Sequence, residues 1–195
     1  IDTVPSSDNK YLISAGTAPD TTIANYVYFS AFNPSGSGKT AIVRRISIRA
    51  DAVGSASYVA LTARRITSAT EGVLISADNI PDKNTGSSSP VLQLRHTGPL
   101  VTFAENTVSR LISVTTPAAA GQIIGYKEIV FDNNSEKLIL KPGEGIAVFQ
   151  EAAVTPLFRV KVEIEWDENT STPTAQNEYL LSIGPVTGTT GATDN

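Results

Sequence analysis

The sequence predicts an all-β fold, specifically an antiparallel β-sandwich of the jelly-roll kind with extended N- and C-terminal arms. Two observations lead to this prediction. Apolar residues alternate with polar ones over many short segments, and a period of two places one strand face in a core and the other in water. No segment shows a convincing helical period, so the crossover helices that a parallel sheet needs are not predicted.

The first residues, 1–20, are polar, contain Pro5, Gly16 and Pro19, and are predicted to form an arm with one apolar patch at 11–13. Candidate strands follow, each rich in β-branched or aromatic residues and bounded by turn-forming residues: 23–32, 40–50, 56–66, 72–76, 99–104, 108–115, 126–131, 137–140, 145–151 and 157–166.

The last candidate strand, 157–166, has the strictest alternation in the chain. Its apolar face consists of Val160, Val162, Ile164 and Trp166, and its polar face of Lys161, Glu163 and Glu165. The preceding strand is set off by a turn at Pro142 and Gly143, since proline fixes φ and glycine permits a positive one. Consecutive short strands with turns between them are typical of a sandwich or barrel.

A chain of 195 residues is predicted to form one domain with arms. We place the sandwich at 21–168 and a C-terminal tail at 169–195, which is rich in Thr, Gly and Asn and has one apolar segment at 179–183. Within the sandwich, 77–98 is predicted to be a long loop, in which 91–94 is a candidate short strand.

The composition excludes several classes of function. Cysteine is absent, which rules out disulfides, thiol nucleophiles and thiolate metal sites. The net charge of −4 gives no general attraction to nucleic acid or to an anionic membrane, so neither is expected as a partner. No apolar run approaches the ~18 residues of a membrane-spanning helix. Charged residues make up only 17%, which suits a surface partly covered by neighbouring proteins or a secreted protein.

Two features resemble functional sites, a phosphate-binding loop and a catalytic histidine, but the residues around each do not fit such a site. The loop 33–40 (NPSGSGKT) ends like a phosphate-binding loop, but it begins with Asn33 rather than glycine and precedes a β-branched strand rather than a helix. The only histidine, His96, lies in a polar loop without the nucleophile elbow of a serine triad. A zinc site needs three or four nitrogen or sulfur ligands, and a chain with one histidine and no cysteine does not supply them.

An oxygen-rich loop leaves one metal hypothesis open. Asp78, Asp82 and Asn84 lie near Gly86, which loosely resembles a calcium loop, although the spacing fails the EF-hand pattern. An ordinary turn accounts for these residues equally well. We therefore predict a protein without catalytic residues, without a metal and without a cofactor.

Two adjacent arginine pairs, Arg44-Arg45 and Arg64-Arg65, lie on consecutive predicted strands. Adjacent residues point to opposite faces, so one member of each pair must face inward or lie at a bulge or rim. Strict alternation would put Arg44 on one face with Ile42, Ile46 and Ile48. The pairs either form cross-strand ion pairs with acidic residues or supply intersubunit ion pairs in an assembly.

The blocks FNPSGSGKTAIVRRISIRADAVGSASYVALTARRITSATEG and LILKPGEGIAVFQEAA…FRVKVEIEWDE resemble small virion proteins of tailed bacteriophages. The likeness spans roughly 25–168 and consists of a Gly/Ser loop, strands with basic pairs, a Pro-Gly turn and a last strand closing in Trp-x-Glu. It implies a jelly-roll protein of the particle exterior, such as a capsid decoration (cement) protein or a head- or tail-associated subunit. It implies no catalytic residues.

The resemblance also implies partners, namely copies of the chain in a homotrimer or another closed oligomer, and virion proteins such as the major capsid protein. Both arms lie outside the likeness, and each carries a short apolar segment that is predicted to add a strand to another chain or to pack against it. These segments contain Tyr11, Leu12 and Ile13 in the first arm, and Tyr179, Leu180, Leu181 and Ile183 in the second.

Two functions of other classes remain open at this point. A carbohydrate-binding or adhesive sandwich would need exposed aromatics, for which Tyr26, Tyr28, Tyr58 and Tyr126 are the candidates. A surface filament subunit would join its neighbours by donated strands. The sequence does not distinguish a position on the head from one on the tail or baseplate.

Overall fold

A computed structural model of the chain describes residues 9–17, 23–52, 58–77, 80, 90–105, 110–115, 123–131, 137–153 and 158–169. Over these residues the protein contains strands and no α-helix, and every strand pair is antiparallel. The strands are β1 (Asn9–Thr17), β2 (Val27–Phe32), β3 (Thr40–Ala52), β4 (Tyr58–Thr70), β5 (Val73–Leu74), β6 (Gln93–His96), β7 (Leu100–Phe103), β8 (Arg110–Thr115), β9 (Ile123–Val130), β10 (Leu138–Leu140), β11 (Gly145–Gln150) and β12 (Phe158–Asn169).

The strands form two sheets. The first has the order β1-β12-β3, with β10 and β9 both paired to β3, and the second has the order β5-β6-β2-β11-β4, with β7 and β8 both paired to β4. The first strand thus pairs with the last, the second with the penultimate, and β3 and β4 with the strands between. Pairing of early strands with late ones in this order is the topology of a jelly roll. The prediction of an all-β antiparallel sandwich is confirmed.

One apolar core lies between the sheets. The first sheet contributes alternate residues of β3 and β12, and the second contributes residues of β2, β4, β6 and β11. The largest fully buried side chains include Trp166, Tyr11, Tyr28 and Phe29. Trp166 and Tyr11 stack with ring centroids 5.2 Å apart, which joins the first strand of the chain to the last.

The second sheet also curls over its other face. β5 continues β4, and β7 continues β6, each after a bend at residues with positive φ: Glu71, Gly72, Thr97 and Gly98. Because β4 pairs with β7 while β5 pairs with β6, the two bent strands close the sheet on itself. A second apolar cluster of Val27, Ile66, Ala69, Ala147 and Phe149 lies on this face, with Phe32, Val101 and Phe103 packed against it.

Strand boundaries follow the predictions within a few residues for most elements, and three segments differ from them. Residues 9–17, which we assigned to an arm, form β1 at the edge of the first sheet. The predicted loop 77–98 contains β6, displaced by two residues from the candidate strand 91–94. β12 runs to Asn169 and therefore past the boundary we placed before the tail. In the part of the chain described, no helix could cross a bilayer.

Candidate functional site: the charged face and edge of the first sheet

The outer face of the first sheet carries a cluster of charged residues. Along β12 the core-facing residues alternate with Glu163 and Glu165, which point away from the core. Glu128 of β9 lies opposite Ser47 of β3 on the same side. We call the group Arg45, Glu128, Glu163 and Glu165 the charged face.

A β-bulge determines which arginine reaches the charged face. Arg45 pairs with Glu165, but the next residue of β12, Trp166, pairs with Val43, so Arg44 is an extra residue in β3. Val43 is fully buried, whereas strict alternation would have buried Arg44. The prediction that Arg44 shares a face with the core isoleucines is therefore wrong, because the bulge places both arginines between the inward-facing Val43 and Ile46.

Arg45 is surrounded by three carboxylates of its own chain. Its Nη2 donates to Glu163 Oε1 at 2.7 Å and lies 3.4 Å from Glu165 Oε2, and its Nη1 lies 3.6 Å from Glu128 Oε2. All four side chains are between 23% and 35% exposed. These are cross-strand ion pairs in contact with water, where each contributes little stability.

Arg44 has a different environment. Its Nε and Nη2 both donate to Asp167 Oδ2 at 2.6 Å, and the Asp167 side chain is only 3% exposed. A carboxylate removed from water needs such a charged donor, since an uncompensated buried charge costs far more than a lost surface pair. Arg44 therefore stabilises the end of β12.

The end of β12 is held by a second buried acid, Glu168. Its Oε1 accepts a hydrogen bond from the amide of Val91 at 2.7 Å and from Trp166 Nε1 at 3.1 Å, and its Oε2 lies 3.5 Å from Lys39 Nζ. The Trp-x-Glu pattern thus has a structural role: residues two apart on a strand share a face, so the acid can accept from the indole while it holds the chain before β6.

The second arginine pair divides between two faces. Arg64 lies over the Phe103 ring, with its guanidinium carbon 5.2 Å from the ring centroid, and donates to the carbonyl of Ala104. Arg65 donates to the carbonyl of Ile139 at 3.0 Å and lies 3.3 Å from Glu144 Oε2. All four arginines thus have contacts within the chain, and a role between subunits stays a prediction.

The structure describes one of the two apolar segments that were assigned to the arms. Tyr11 is buried against Trp166 in β1, and Leu12 and Ile13 continue the same strand opposite Glu165 and Ile164. The other segment, with Tyr179, Leu180, Leu181 and Ile183, lies outside the described residues. Contact with another chain stays a prediction for both.

The loop 33–40 serves to connect strands. Asn33 is fully buried, and its side-chain amide donates to the carbonyls of Lys39 and Leu140, both at 2.9 Å. Its own backbone amide and carbonyl bond to Glu144 and Gly143. The asparagine that disqualifies the loop as a phosphate site therefore clamps it to the turn before β11, and a strand follows, as the sequence predicted.

Few groups in the described residues offer chemistry. His96 Nδ1 lies 2.8 Å from Thr97 Oγ1, and partial burial lowers its pKa below the ordinary value because the charged ring loses water. No group of three metal-ligating side chains occurs among the residues described. The candidate calcium ligands Asp78, Asp82 and Asn84 lie outside them.

The buried acids at the end of β12 and the Asn33 clamp were not identified from sequence. The spacing of Trp166 and Glu168 could have revealed one bond, because the two positions share a strand face. The partners Val91, Lys39 and Leu140 are distant in sequence, and no local signal points to them.

The chain matches no protein-family model and no curated protein sequence.

Proposed function

We propose that the protein is a structural, non-enzymatic virion subunit of a tailed bacteriophage that acts through protein–protein contacts. In this role it decorates and reinforces the particle exterior as a capsid decoration (cement) protein. Its partners are copies of itself in a closed oligomer and the major capsid protein. It uses no cofactor in this role and binds neither nucleic acid nor membrane.

The observation that carries the proposal is the jelly-roll pairing of first strand with last, second with penultimate, over two sheets. This architecture is a common building unit of viral capsids. Its edge strands and end loops are open to neighbours, while the apolar core is buried between the two sheets. The ionic and polar side chains at the end of the sandwich support the same role. They fix strand ends and loops to each other, as the bonds of Asn33, Asp167 and Glu168 show.

Lectin domains share the jelly-roll architecture, so glycan binding is the second candidate. It needs exposed aromatic side chains on which a sugar ring can stack. Among the described residues, Tyr28 and Trp166 are fully buried, and Tyr26 is half-buried and packs edge-on against Tyr28 with centroids 5.0 Å apart. This packing argues against Tyr26 and Tyr28 as a platform for a sugar ring, whereas the side chains of the other two candidates, Tyr58 and Tyr126, lie outside those described.

The test uses the full chain. Light scattering over a hundredfold concentration range should give one closed oligomer. The protein should cosediment with shells assembled from the major capsid protein of the same genome. The same sample on a glycan array should give no signal. A monomer at all concentrations that binds glycans would replace the proposal with the lectin alternative, and a genome without a major capsid protein would contradict it outright.

A further inference from the structure

The tail contains a second copy of the β1 sequence. Residues 5–22 (PSSDNKYLISAGTAPDTT) and 173–190 (PTAQNEYLLSIGPVTGTT) align without a gap. Eight of the eighteen positions are identical, namely the leading Pro, the Asn-x-Tyr-Leu-x-Ser-x-Gly pattern and the closing Thr-Thr. Chance matches of two or three such residues are ordinary, but a shared pattern over a whole strand and its flanks indicates a shared binding site.

The described structure shows where the first copy binds. β1 runs antiparallel to β12 from Asn9 opposite Glu168 to Thr17 opposite Val160. Tyr11, the one β1 residue whose side chain is described, is fully buried against Trp166. We call this edge of β12 the β1 seat.

The differences between the two copies preserve the side-chain types that the β1 seat requires. The register places positions 11, 13 and 15 opposite Trp166, Ile164 and Val162, which are all fully buried. In the tail the corresponding residues are Tyr179, Leu181 and Ile183, again one aromatic followed by two aliphatics at a period of two. Between them, Ser14 corresponds to an identical serine at 182.

We propose that residues 177–184 bind the β1 seat of a second copy of the chain, in the register that β1 holds, so that subunits are linked by strand exchange. The inference rests on the proposed assembly function and deepens it by naming the acceptor edge and the donated strand. The described chain fills its own seat with β1, which leaves the tail copy as the surplus strand.

Physical reasons favour exchange between copies. The donated strand takes the place of β1 and makes main-chain hydrogen bonds along the same edge, and alternate side chains supply the specificity. Exchange of similar elements costs little, because the donated strand makes with the second chain the main-chain hydrogen bonds that β1 makes within its own, and it places side chains of the same types against the core. A hairpin between β12 and its own tail would need the connection 169–176, which is longer than the two to five residues that hairpins prefer.

Because the chain has no cysteine, a disulfide can report the register without background. Ser14 lies opposite Glu163, and directly opposed residues on antiparallel strands are close enough for a disulfide. The full-length S182C/E163C variant is oxidised and analysed by non-reducing electrophoresis and peptide mapping. The S14C/E163C variant is the positive control for the seat. L180C/E163C is the matched negative control, because position 180 would lie opposite Glu165, and diagonal neighbours on the same face are too far apart for a disulfide.

The expected result is a ladder of covalent dimers and higher species joined through positions 182 and 163, with no such product from L180C/E163C. A link between 182 and 163 within one chain would overturn the intermolecular proposal, and so would the absence of that link. Light scattering on the same samples separates the two proposals. An oligomer without the link keeps the assembly function and loses strand exchange, whereas a monomer without it loses both.

Two further variants test the competition directly. In the S182C/E163C background, Y179A should reduce the intermolecular product at least fivefold, and position 179 lies outside every described strand. Y11A should increase the product, because it weakens the strand that occupies the seat. A product that falls with Y11A and is insensitive to Y179A would contradict the proposal even if both chains remain folded.

Discussion

At the scale of single residues, the contribution of an arginine to stability depends on how deeply its carboxylate partner is buried away from water. Arg44 and Arg45 are neighbours in β3, yet one binds a buried aspartate and the other three half-exposed glutamates. A carboxylate such as Asp167 cannot recover hydration when its donor is removed, whereas Glu163 can. Position relative to the bulge therefore decides the contribution of each arginine more than the number of its ion pairs does.

We expect R44A to lower the free energy of unfolding by about 2–3 kcal/mol, since it removes the guanidinium that donates to the buried Asp167 carboxylate. We expect R45A to lower it by about 1 kcal/mol or less, because its partners are hydrated. Urea unfolding at low and high salt measures both changes. Added salt should reduce the R45A effect more than the R44A effect. Equal losses for the two variants would show that Asp167 is not held by Arg44 in the way described.

His96 makes the stability depend on pH in one direction. Burial lowers the pKa of His96 in the folded state, so the unfolded chain binds the proton more tightly. The loss of folding stability that results from this difference in pKa is absent well above pH 6.5. It grows as pH falls through that value toward the lower folded pKa. The Tm of the wild type should therefore fall relative to that of H96Q between pH 7.5 and pH 5. A Tm difference independent of pH would contradict this assignment.

At the scale of elements, β11 is a central strand that requires a glycine. A Cβ on Gly145 would lie 2.5 Å from the carbonyl oxygen of Ala31 and 2.8 Å from Ile66 Cγ1. Backbone atoms of a paired strand cannot move aside as the end of a flexible side chain can. β11 pairs with β2 and β4 at once, so a shift of residue 145 would disturb both strand pairs.

We therefore expect G145A to destabilise the protein by about 1–3 kcal/mol, the usual cost of overpacking. G36A is the matched control, because a Cβ there meets nothing within 4 Å and the residue is outside the positive-φ region. Fewer unfolded conformations should leave G36A neutral or slightly stabilised. Chemical denaturation of both variants checks the prediction, and a G145A protein as stable as G36A would refute the tight contact.

Most elements could be predicted because alternation and turn residues are local signals. The strand 157–166 and the Pro-Gly turn before β11 are examples, and both agree with the structure. β1 was predicted as an arm because its polar flanks conceal a core tyrosine whose partner, Trp166, lies at the other end of the chain. The bulge at Arg44 and the closing of the second sheet depend on strand pairing, which no local pattern encodes.

At the scale of the whole molecule, the fold depends on contacts between distant parts of the chain. β1 pairs with β12 and β2 with β11, so the sandwich cannot close before its last strand is in place. The second cluster also contains Val27 of β2 with Ala147 and Phe149 of β11, but its contacts between β4 and β7 join strands that lie nearer to each other in sequence. The molecule therefore has one core of distant contacts and one that includes nearer ones.

This difference predicts an order of folding that the only tryptophan can report. Trp166 is fully buried between the sheets and against Tyr11, so its fluorescence signals the docking of first and last strands. Strands that are distant in sequence pair slowly, because the chain loses conformational entropy in closing the loop before the paired residues make contact. Refolding is therefore expected on the order of milliseconds to seconds or slower. Stopped-flow fluorescence should lag behind the far-ultraviolet circular dichroism change in the same dilution from urea. A Trp166 signal complete before the strands form would show that the chain ends meet early, before strands nearer in sequence such as β4 and β7 have paired.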